Sequence, residues 1–124
     1  MTRGKFVVID GLDGVGKGTG INAIIEFLVE SGRVVFDLDE FWQKNDAYPN
    51  FEDKNSPYYI DLNSFDVIRS SEPTYTGYGK EIRERAIVKD SDDYSARQTA
   101  ELYSKDRMIL YQEVILPALK VGKT

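Results

Sequence analysis

The stretch "GLDGVGKGTG", residues 11 to 20, places five glycines among ten residues, directly after an apolar run and before a helical pattern. Glycine destabilises a helix interior by roughly 1 kcal/mol relative to alanine, so this density of glycine indicates a backbone role. The stretch matches the pattern G-x-x-x-x-G-K-[ST] except at its last position, where Gly18 precedes Thr19. The pattern predicts a loop whose backbone amides bind the phosphates of a nucleotide.

The chemistry of such a loop assigns a role to several of its residues. Gly14 and Gly16 allow backbone N–H groups to point inward, and the helix that follows directs its positive end at the same phosphates. Lys17 adds a mobile positive charge for the β and γ phosphates, and Thr19 is the local hydroxyl for Mg²⁺. The predicted ATP contacts are Gly11, Leu12, Asp13, Gly14, Val15, Gly16, Lys17, Gly18 and Thr19. A glycine-rich turn that serves only tight packing is the alternative.

The flanking segments predict the first part of an α/β fold. "KFVVID", residues 5–10, has the β-branched and aromatic composition of a buried strand. Apolar residues recur at helical spacing over residues 17–31, and Gly32 follows where a helix commonly ends. "RVVFDLD", residues 33–39, predicts a second strand, so the unit reads strand, helix, strand with a right-handed crossover.

The rest of the chain predicts fewer regular elements. Residues 40–64 combine asparagines, prolines and aromatics without periodicity, which indicates an irregular insertion. Residues 65–77 predict a short strand that runs into a Pro and Gly loop, and residues 80–88 predict a short amphipathic helix. A long final helix is expected to begin at a cap near Ser91 or Asp92.

One stripe of that final helix is predicted to face inward. Arg107 falls on the stripe, so its guanidinium is expected to lie along a mostly apolar face. Pro117 offers no N–H to Glu113 and is expected to kink or end the helix. The residues of the stripe, at spacings of threes and fours, are Ala96, Ala100, Tyr103, Leu110, Val114 and Ala118.

Composition limits the chemistry. The 124 residues correspond to about one domain, and a net charge of −5 with dispersed basic residues disfavours a nucleic-acid partner. The chain has no cysteine and no histidine, which excludes disulfides, thiolate zinc sites and imidazole general bases. The first residues include only four consecutive apolar side chains, too few for a signal or membrane segment. We therefore expect a cytoplasmic protein with no membrane partner.

Three segments in order resemble the thymidylate kinases: "GLDGVGKGT", "SEPTYTGYGKEIRE" and "LYSKDRMILYQEVILPALKVGKT". The resemblance implies an α/β P-loop NTPase fold, with three αβα layers and a mostly parallel sheet. It also implies transfer of the γ-phosphoryl group of ATP to dTMP with Mg²⁺, and a homodimer. Phosphoryl transfer of this kind rests on positioning and positive charge, so it needs no histidine base.

The resemblance also implies roles for individual residues. Tyr103 matches the aromatic ring that stacks on thymine, and Arg107 matches the arginine that hydrogen-bonds the carbonyl edge of the base. Asp13 matches the acidic residue that holds the 3′-hydroxyl of the acceptor, and together with Lys17 it is the expected catalytic pair. The loop that passes over the acceptor monophosphate is matched by Glu72, Pro73 and Gly77.

The chain departs from the family pattern at three places. Ser71 stands where the family commonly has an arginine for the acceptor phosphate, and Arg69 is the nearest substitute. The insertion at residues 40–64 lies next to the acceptor pocket. The chain stops where the family begins a central strand and then an arginine-bearing lid, so residues 1–124 are expected to form one domain that is incomplete at its C-terminus. Residues 65–70 could otherwise fill that place in the sheet.

Two other functions remain open, and some side chains have simpler explanations. One alternative is a different nucleotide or nucleoside kinase, and the other is a truncated, non-catalytic ATP-binding module. Asp37 and Asp39 are expected to be a solvated strand end rather than magnesium ligands. Arg83 and Arg85 are expected to lie on the solvated face of a short helix. The aromatics of the insertion are expected to form a local cluster.

Overall fold

The computed structural model describes residues 4–8, 17–86 and 94–124, and of residues 17–19 and 86 it describes the backbone alone. The helices are α1 (Lys17–Glu30), α2 (Leu38–Asn45), α3 (Gly77–Glu81), α4 (Ala96–Leu110) and α5 (Leu116–Lys120). A 3₁₀ turn spans Leu62–Ser64, and π-helical turns follow α3 at Ile82–Ala86 and α4 at Tyr111–Ile115. The strands are β1 (Val35–Asp37) and β2 (Val67–Arg69).

The two strands form a parallel sheet. Val35 pairs with Val67 and Asp37 pairs with Arg69, so the carboxyl ends of both strands lie at the same edge. On its other side, β2 bonds to the backbone of Thr124: the Thr124 N–H donates to the Asp66 carbonyl at 3.1 Å, and the Ile68 N–H donates to the Thr124 carbonyl at 2.7 Å. The 65–70 segment therefore contains the strand that pairs directly with the one predicted at residues 33–39, and it lies between that strand and Thr124.

The N-terminal strand prediction is wrong for the part that the structure describes. Residues 5–8 are not in a strand, and the Lys5 N–H faces the Thr124 hydroxyl at 3.5 Å instead of a backbone ladder. Val7 and Val8 are 68% and 66% exposed. An apolar run becomes a strand only where neighbouring strands satisfy its backbone and cover its side chains, and the described sheet supplies neither here.

The helix α1 confirms the pattern that predicted it. It begins at Lys17 and ends at Glu30, and Gly32 follows with φ of +87°, a conformation that favours glycine. Its apolar face is only partly covered, since Ile21 and Ile25 are half-buried whereas Phe27 is 67% exposed.

The predicted irregular segment at residues 40–64 begins instead inside a helix. The Asp37 side chain caps α2 by accepting from the Glu40 N–H, which ends β1 and starts the helix without a loop. Leu38 and Trp42 are fully buried there and pack with Leu110 and Val114 to form the core. The aromatic side chains that cover this core include Phe36, Phe41, Tyr48, Phe51 and Tyr75. The local cluster expected of the insertion's aromatics is therefore confirmed for Phe41, Trp42 and Tyr48, whereas Tyr58 is 38% exposed.

The long final helix differs from its prediction in its start and in its buried face. It begins at Ala96, where Ser95 and Gln98 form a capping box, rather than near residue 91. The buried row is Leu102, Asp106, Leu110, Val114 and Ala118. In its first half, Leu102 and Asp106 take the place of the predicted Tyr103 and Arg107, and Ala96 and Ala100 are exposed. A π turn before Pro117 lets the chain continue into α5, so Pro117 does not end the helix.

Candidate functional site

The glycine-rich stretch precedes the N-terminus of α1. Residues 11–16, which include Asp13, Gly14 and Gly16, lie outside the described residues. Lys17, Gly18 and Thr19 form the first turn of α1. The described backbone therefore has a 14-residue helix that starts at the lysine of the pattern, as a phosphate-binding loop requires.

The second predicted segment is the 72–77 loop, which joins the end of β2 to α3. Its first peptide bond, Glu72–Pro73, is cis, and Gly77 at its end has φ of +56°. Pro73, Thr74 and Thr76 are buried. The loop is therefore an ordered part of the molecule that starts at the carboxyl edge of the sheet, where ligands bind in α/β proteins.

The structure brings Glu72 and Arg107 together, although they are distant in sequence. Arg107 Nε donates to Glu72 Oε1 at 3.2 Å, and its NH2 group donates to Glu72 Oε2 at 3.3 Å. The Arg107 side chain is 60% exposed, so it lies on the rim of α4 and not along the apolar face as the stripe predicts. The guanidinium is free to meet a ligand from the solvent side.

An open groove runs along this rim of α4. Its volume is about 370 Å³, and it is lined by Tyr103, Ser104, Arg107, Met108, Tyr111 and Gln112. The half-buried ring of Tyr103 and the guanidinium of Arg107 thus share one groove, one helical turn apart. A planar apolar ring beside a bidentate donor can bind a flat heterocycle that carries carbonyl groups.

Sequence reasoning missed Asp106, which is the buried polar centre of the site. Asp106 is 3% exposed, and its Oδ2 accepts from the Thr74 N–H at 2.8 Å. Its Oδ1 accepts from the Thr74 hydroxyl at 2.7 Å. The signal was present, because Asp106 lies four residues from both Leu102 and Leu110 and an aspartate in a buried row demands a partner.

Arg83 holds the other side of the same loop. Its Nε donates to the carbonyls of Pro73 and Thr74 at 3.1 Å, and its guanidinium lies 3.9 Å from the centre of the Tyr75 ring. The expectation of a solvated Arg83 is therefore wrong. Arg85, by contrast, is exposed. Buried carbonyl groups need hydrogen-bond donors, and Arg83 supplies them to this loop from the π-helical turn that follows α3.

The carboxyl ends of the strands carry a second polar cluster. Arg69 NH1 lies 3.2 Å from Asp37 Oδ2 and 3.7 Å from Asp39 Oδ2, and the Ser71 hydroxyl donates to Asp39. Asp39 is 6% exposed, so the expectation of a solvated strand end is wrong for it, and burial raises the pKa of its carboxyl. The two carboxylates neutralise the charge that Arg69 would need to substitute for the family's arginine.

In residues 4–8, 17–86 and 94–124, no three acidic side chains are grouped so that they could hold a metal ion. No helix within those ranges is long and apolar enough to cross a membrane.

Comparisons with known proteins identify the class. The similar curated proteins are nucleotide kinases. More particularly, a probable thymidylate kinase of Pyrococcus abyssi is 31% identical over 124 residues, which cover 98% of this chain and 45% of that protein. Thymidylate kinases of Synechococcus sp. strain CC9605 and Trichodesmium erythraeum are each 31% identical over 121 residues, which cover 96% of this chain. These 121 residues make up 44% and 45% of the two relatives.

The chain is therefore a homologue of the thymidylate kinases over nearly its whole length. It spans about 45% of the length of the relatives it matches. No family model matches the chain. No solved structure is significantly similar to it.

Proposed function

We propose that this protein transfers the γ-phosphoryl group of ATP to dTMP, as a P-loop kinase with a three-layer αβα fold. One observation carries the assignment: the groove of α4 contains Tyr103 and Arg107, and Arg107 is joined to Glu72 of the loop that follows the sheet. Glu72 and Arg107 are 35 positions apart in the sequence, and the resemblance matches both of them, with Tyr103, to the acceptor site. The names of the relatives support dTMP as the acceptor.

In the acceptor site, Tyr103 would stack on the thymine ring, and Arg107 would donate to its carbonyl edge. The guanidinium donates only, so it favours a carbonyl group over an exocyclic amine at that position. Glu72 orients the guanidinium through the bidentate contact. Pro73 and Gly77 would shape the loop over the acceptor monophosphate.

At the other end of the reaction, residues 11–19 would bind ATP. The loop amides and Lys17 would hold the transferred phosphoryl group, Asp13 would orient the 3′-hydroxyl of the acceptor, and Thr19 would contribute a ligand to Mg²⁺. When bound, the metal supplies positive charge that stabilises the phosphoryl transition state. The chain itself contributes to catalysis by positioning the two substrates, because phosphoryl transfer requires little covalent chemistry of the protein.

The experiment is an assay of ADP release by the complete product of the gene, with dTMP, dUMP, dCMP, AMP and thymidine as acceptors. We expect the highest kcat/KM with dTMP. We expect Lys17→Ala to abolish turnover, whereas the control Lys54→Ala, at an exposed position of the insertion, keeps it. A preference for thymidine or another monophosphate would favour a different kinase. ATP binding without ADP release for any acceptor would favour a binding module.

The oligomeric state belongs to the same proposal. The resemblance supports a homodimer, and light scattering after size exclusion would measure it. A mass that corresponds to one chain at micromolar concentration would contradict the dimer.

A further inference from the structure

The 72–77 loop meets α4 at two adjacent positions of the helix. Asp106 faces the interior and bonds to Thr74, and Arg107 faces the rim and bonds to Glu72. Neighbouring helical residues differ in direction by about 100°. The loop therefore contacts α4 both on its buried face and on its exposed rim.

The two contacts differ in strength. Thr74 is fully buried and Asp106 is 3% exposed, so their hydrogen bonds are formed away from water. The Glu72–Arg107 pair is 32% and 60% exposed at its side chains, and a pair of that kind is screened by solvent and contributes little by itself. Of the two contacts with α4, the interior one therefore contributes more to holding the loop, together with Arg83, which donates to the Pro73 and Thr74 carbonyls.

The remaining sides of the loop are fixed as well. Gly79 lies so close that a Cβ there would come within 2.2 Å of the Thr74 hydroxyl oxygen. The Thr76 hydroxyl donates to Asp46 Oδ1 at 2.9 Å, which ties the loop to the end of α2. In these buried surroundings the Thr74 N–H donates to Asp106, and the Thr74 hydroxyl lies within hydrogen-bond distance of both Asp106 and the Thr76 carbonyl.

We propose that Asp106 is a positioning residue of the acceptor site: through Thr74 it sets the depth of the 72–77 loop, and thereby the place where Glu72 presents Arg107 to the base. This inference rests on the proposed function. Asp106 touches no substrate in this account, and its effect reaches the acceptor through the loop alone.

The test uses two substitutions of Asp106 that differ in hydrogen bonding. In Asp106→Asn the amide oxygen can accept from the Thr74 N–H, and the amide nitrogen can donate to the Thr74 hydroxyl. That hydroxyl then turns its proton to the Thr76 carbonyl, which lies 3.0 Å away. Asp106→Ala leaves the buried Thr74 N–H without a partner, and the Thr74 hydroxyl keeps only the Thr76 carbonyl. The matched control is Val114→Ala, a truncation of the buried row at a residue of the core cluster.

The readouts are the Arg107 Nε–H signal in the NMR spectrum and the KM values for dTMP and ATP, measured on the complete gene product. For Asp106→Ala we expect a shifted or broadened Arg107 signal and a KM for dTMP raised by about tenfold, with the KM for ATP unchanged. Asp106→Asn should keep both near the original values. Val114→Ala should lower thermal stability without either change.

The inference is overturned if Asp106→Ala and Val114→Ala give the same Arg107 signal and the same KM for dTMP. If the unmodified protein does not phosphorylate dTMP, the proposed function fails, and the Arg107 signal still decides the positioning role. Should Asp106→Ala not fold, Thr74→Val replaces it, with Thr74→Ser as its control. A shifted Arg107 signal in the valine variant alone supports the role, and equal signals in both overturn it.

Discussion

The 72–77 loop, on the proposed acceptor side, and the N-terminal part of the chain, on the proposed phosphate side, are built differently. Around the 72–77 loop, Thr74 is fully buried, Thr76 is 5% exposed, and each has a hydrogen-bonded partner on another element. In residues 4–8 and in α1, the apolar side chains of Val7, Val8 and Phe27 are each at least 66% exposed. The described residues therefore pack closely around the 72–77 loop but leave these apolar side chains uncovered.

This contrast shows where local sequence is enough to fix a structure. The 72–77 loop is held by residues that each lie within 35 positions of their partners in it: Asp46 after α2, Arg83 on the turn after α3, and Asp106 and Arg107 on α4. The strand predicted at residues 5–10 needs neighbours on both sides of a central sheet, and a strand without them has no reason to form. The two sides should therefore respond differently to the same kind of substitution.

The largest difference is expected for side-chain truncation. Trp42→Ala removes a fully buried ring from the core and should lower the free energy of unfolding by about 3–5 kcal/mol. Phe27→Ala, at a side chain 67% exposed, should change it by less than about 0.5 kcal/mol. Urea unfolding followed by circular dichroism measures both. Equal losses would show that α1 is packed as tightly as the core.

Replacing a glycine with alanine should lower stability beside the 72–77 loop and raise it in α1. Gly79→Ala places a methyl group against Thr74, whose carbonyl oxygen would lie 2.4 Å away, and overpacking of this kind costs about 1–3 kcal/mol. Gly20→Ala meets nothing within 4 Å on α1 and should stabilise the helix by about 1 kcal/mol. Thermal melts of both variants check this, and a destabilising Gly20→Ala would reveal a contact made by the residues before it.

Removal of the rim contact should have a small effect on stability. Glu72→Gln loses the ion pair with Arg107 but keeps a hydrogen-bond acceptor, so the expected loss is about 0–1 kcal/mol. The loss should shrink further as salt rises from 0.05 to roughly 0.5 M, because exposed pairs are screened. Unfolding at two salt concentrations tests this. A larger loss that salt does not change would mean that the rim contact itself holds the loop.

The polar cluster of Asp37, Asp39 and Arg69 at the strand ends should affect how the free energy of unfolding depends on pH. Burial raises the pKa of the Asp39 carboxyl, with the Ser71 hydrogen bond and Arg69 opposing that effect. The folded state therefore binds the proton more tightly than the unfolded chain. This contribution to stability is fully present below the ordinary pKa of aspartate and is lost as pH rises through the folded value. Asp39→Asn should remove this decrease of the unfolding free energy with rising pH. If the decrease is unchanged in the variant, another group causes it.

Sequence patterns predicted the elements that depend on local signals. The helix after the glycine-rich stretch, the end of that helix at Gly32 and the short strand at 67–69 all follow from spacing and turn residues. The start of α4 was misplaced because several polar residues before Ala96 could cap it, and the Ser95–Gln98 box decides between them only in three dimensions.

The candidate site was only partly predictable for the same reason. Tyr103 and Arg107 were identified by their spacing and by resemblance. The predicted stripe placed Arg107 on the buried face of the helix, but the buried residue there is its neighbour Asp106. Asp106 and Arg83 were missed because their partners lie in the irregular 72–77 loop, 32 positions from Asp106 and 9 or 10 from Arg83, and no spacing rule identifies such a partner.

We infer that the groove of Tyr103 and Arg107 binds the acceptor base. The KM for dTMP and the KM for ATP in Arg107→Ala test this, with Arg97→Ala, an exposed arginine on the same helix, as the control. We expect a KM for dTMP raised about tenfold or more in Arg107→Ala alone, because a hydrogen bond to a charged group is lost, and an unchanged KM for ATP. An unchanged KM for dTMP in Arg107→Ala would show that the acceptor base binds elsewhere.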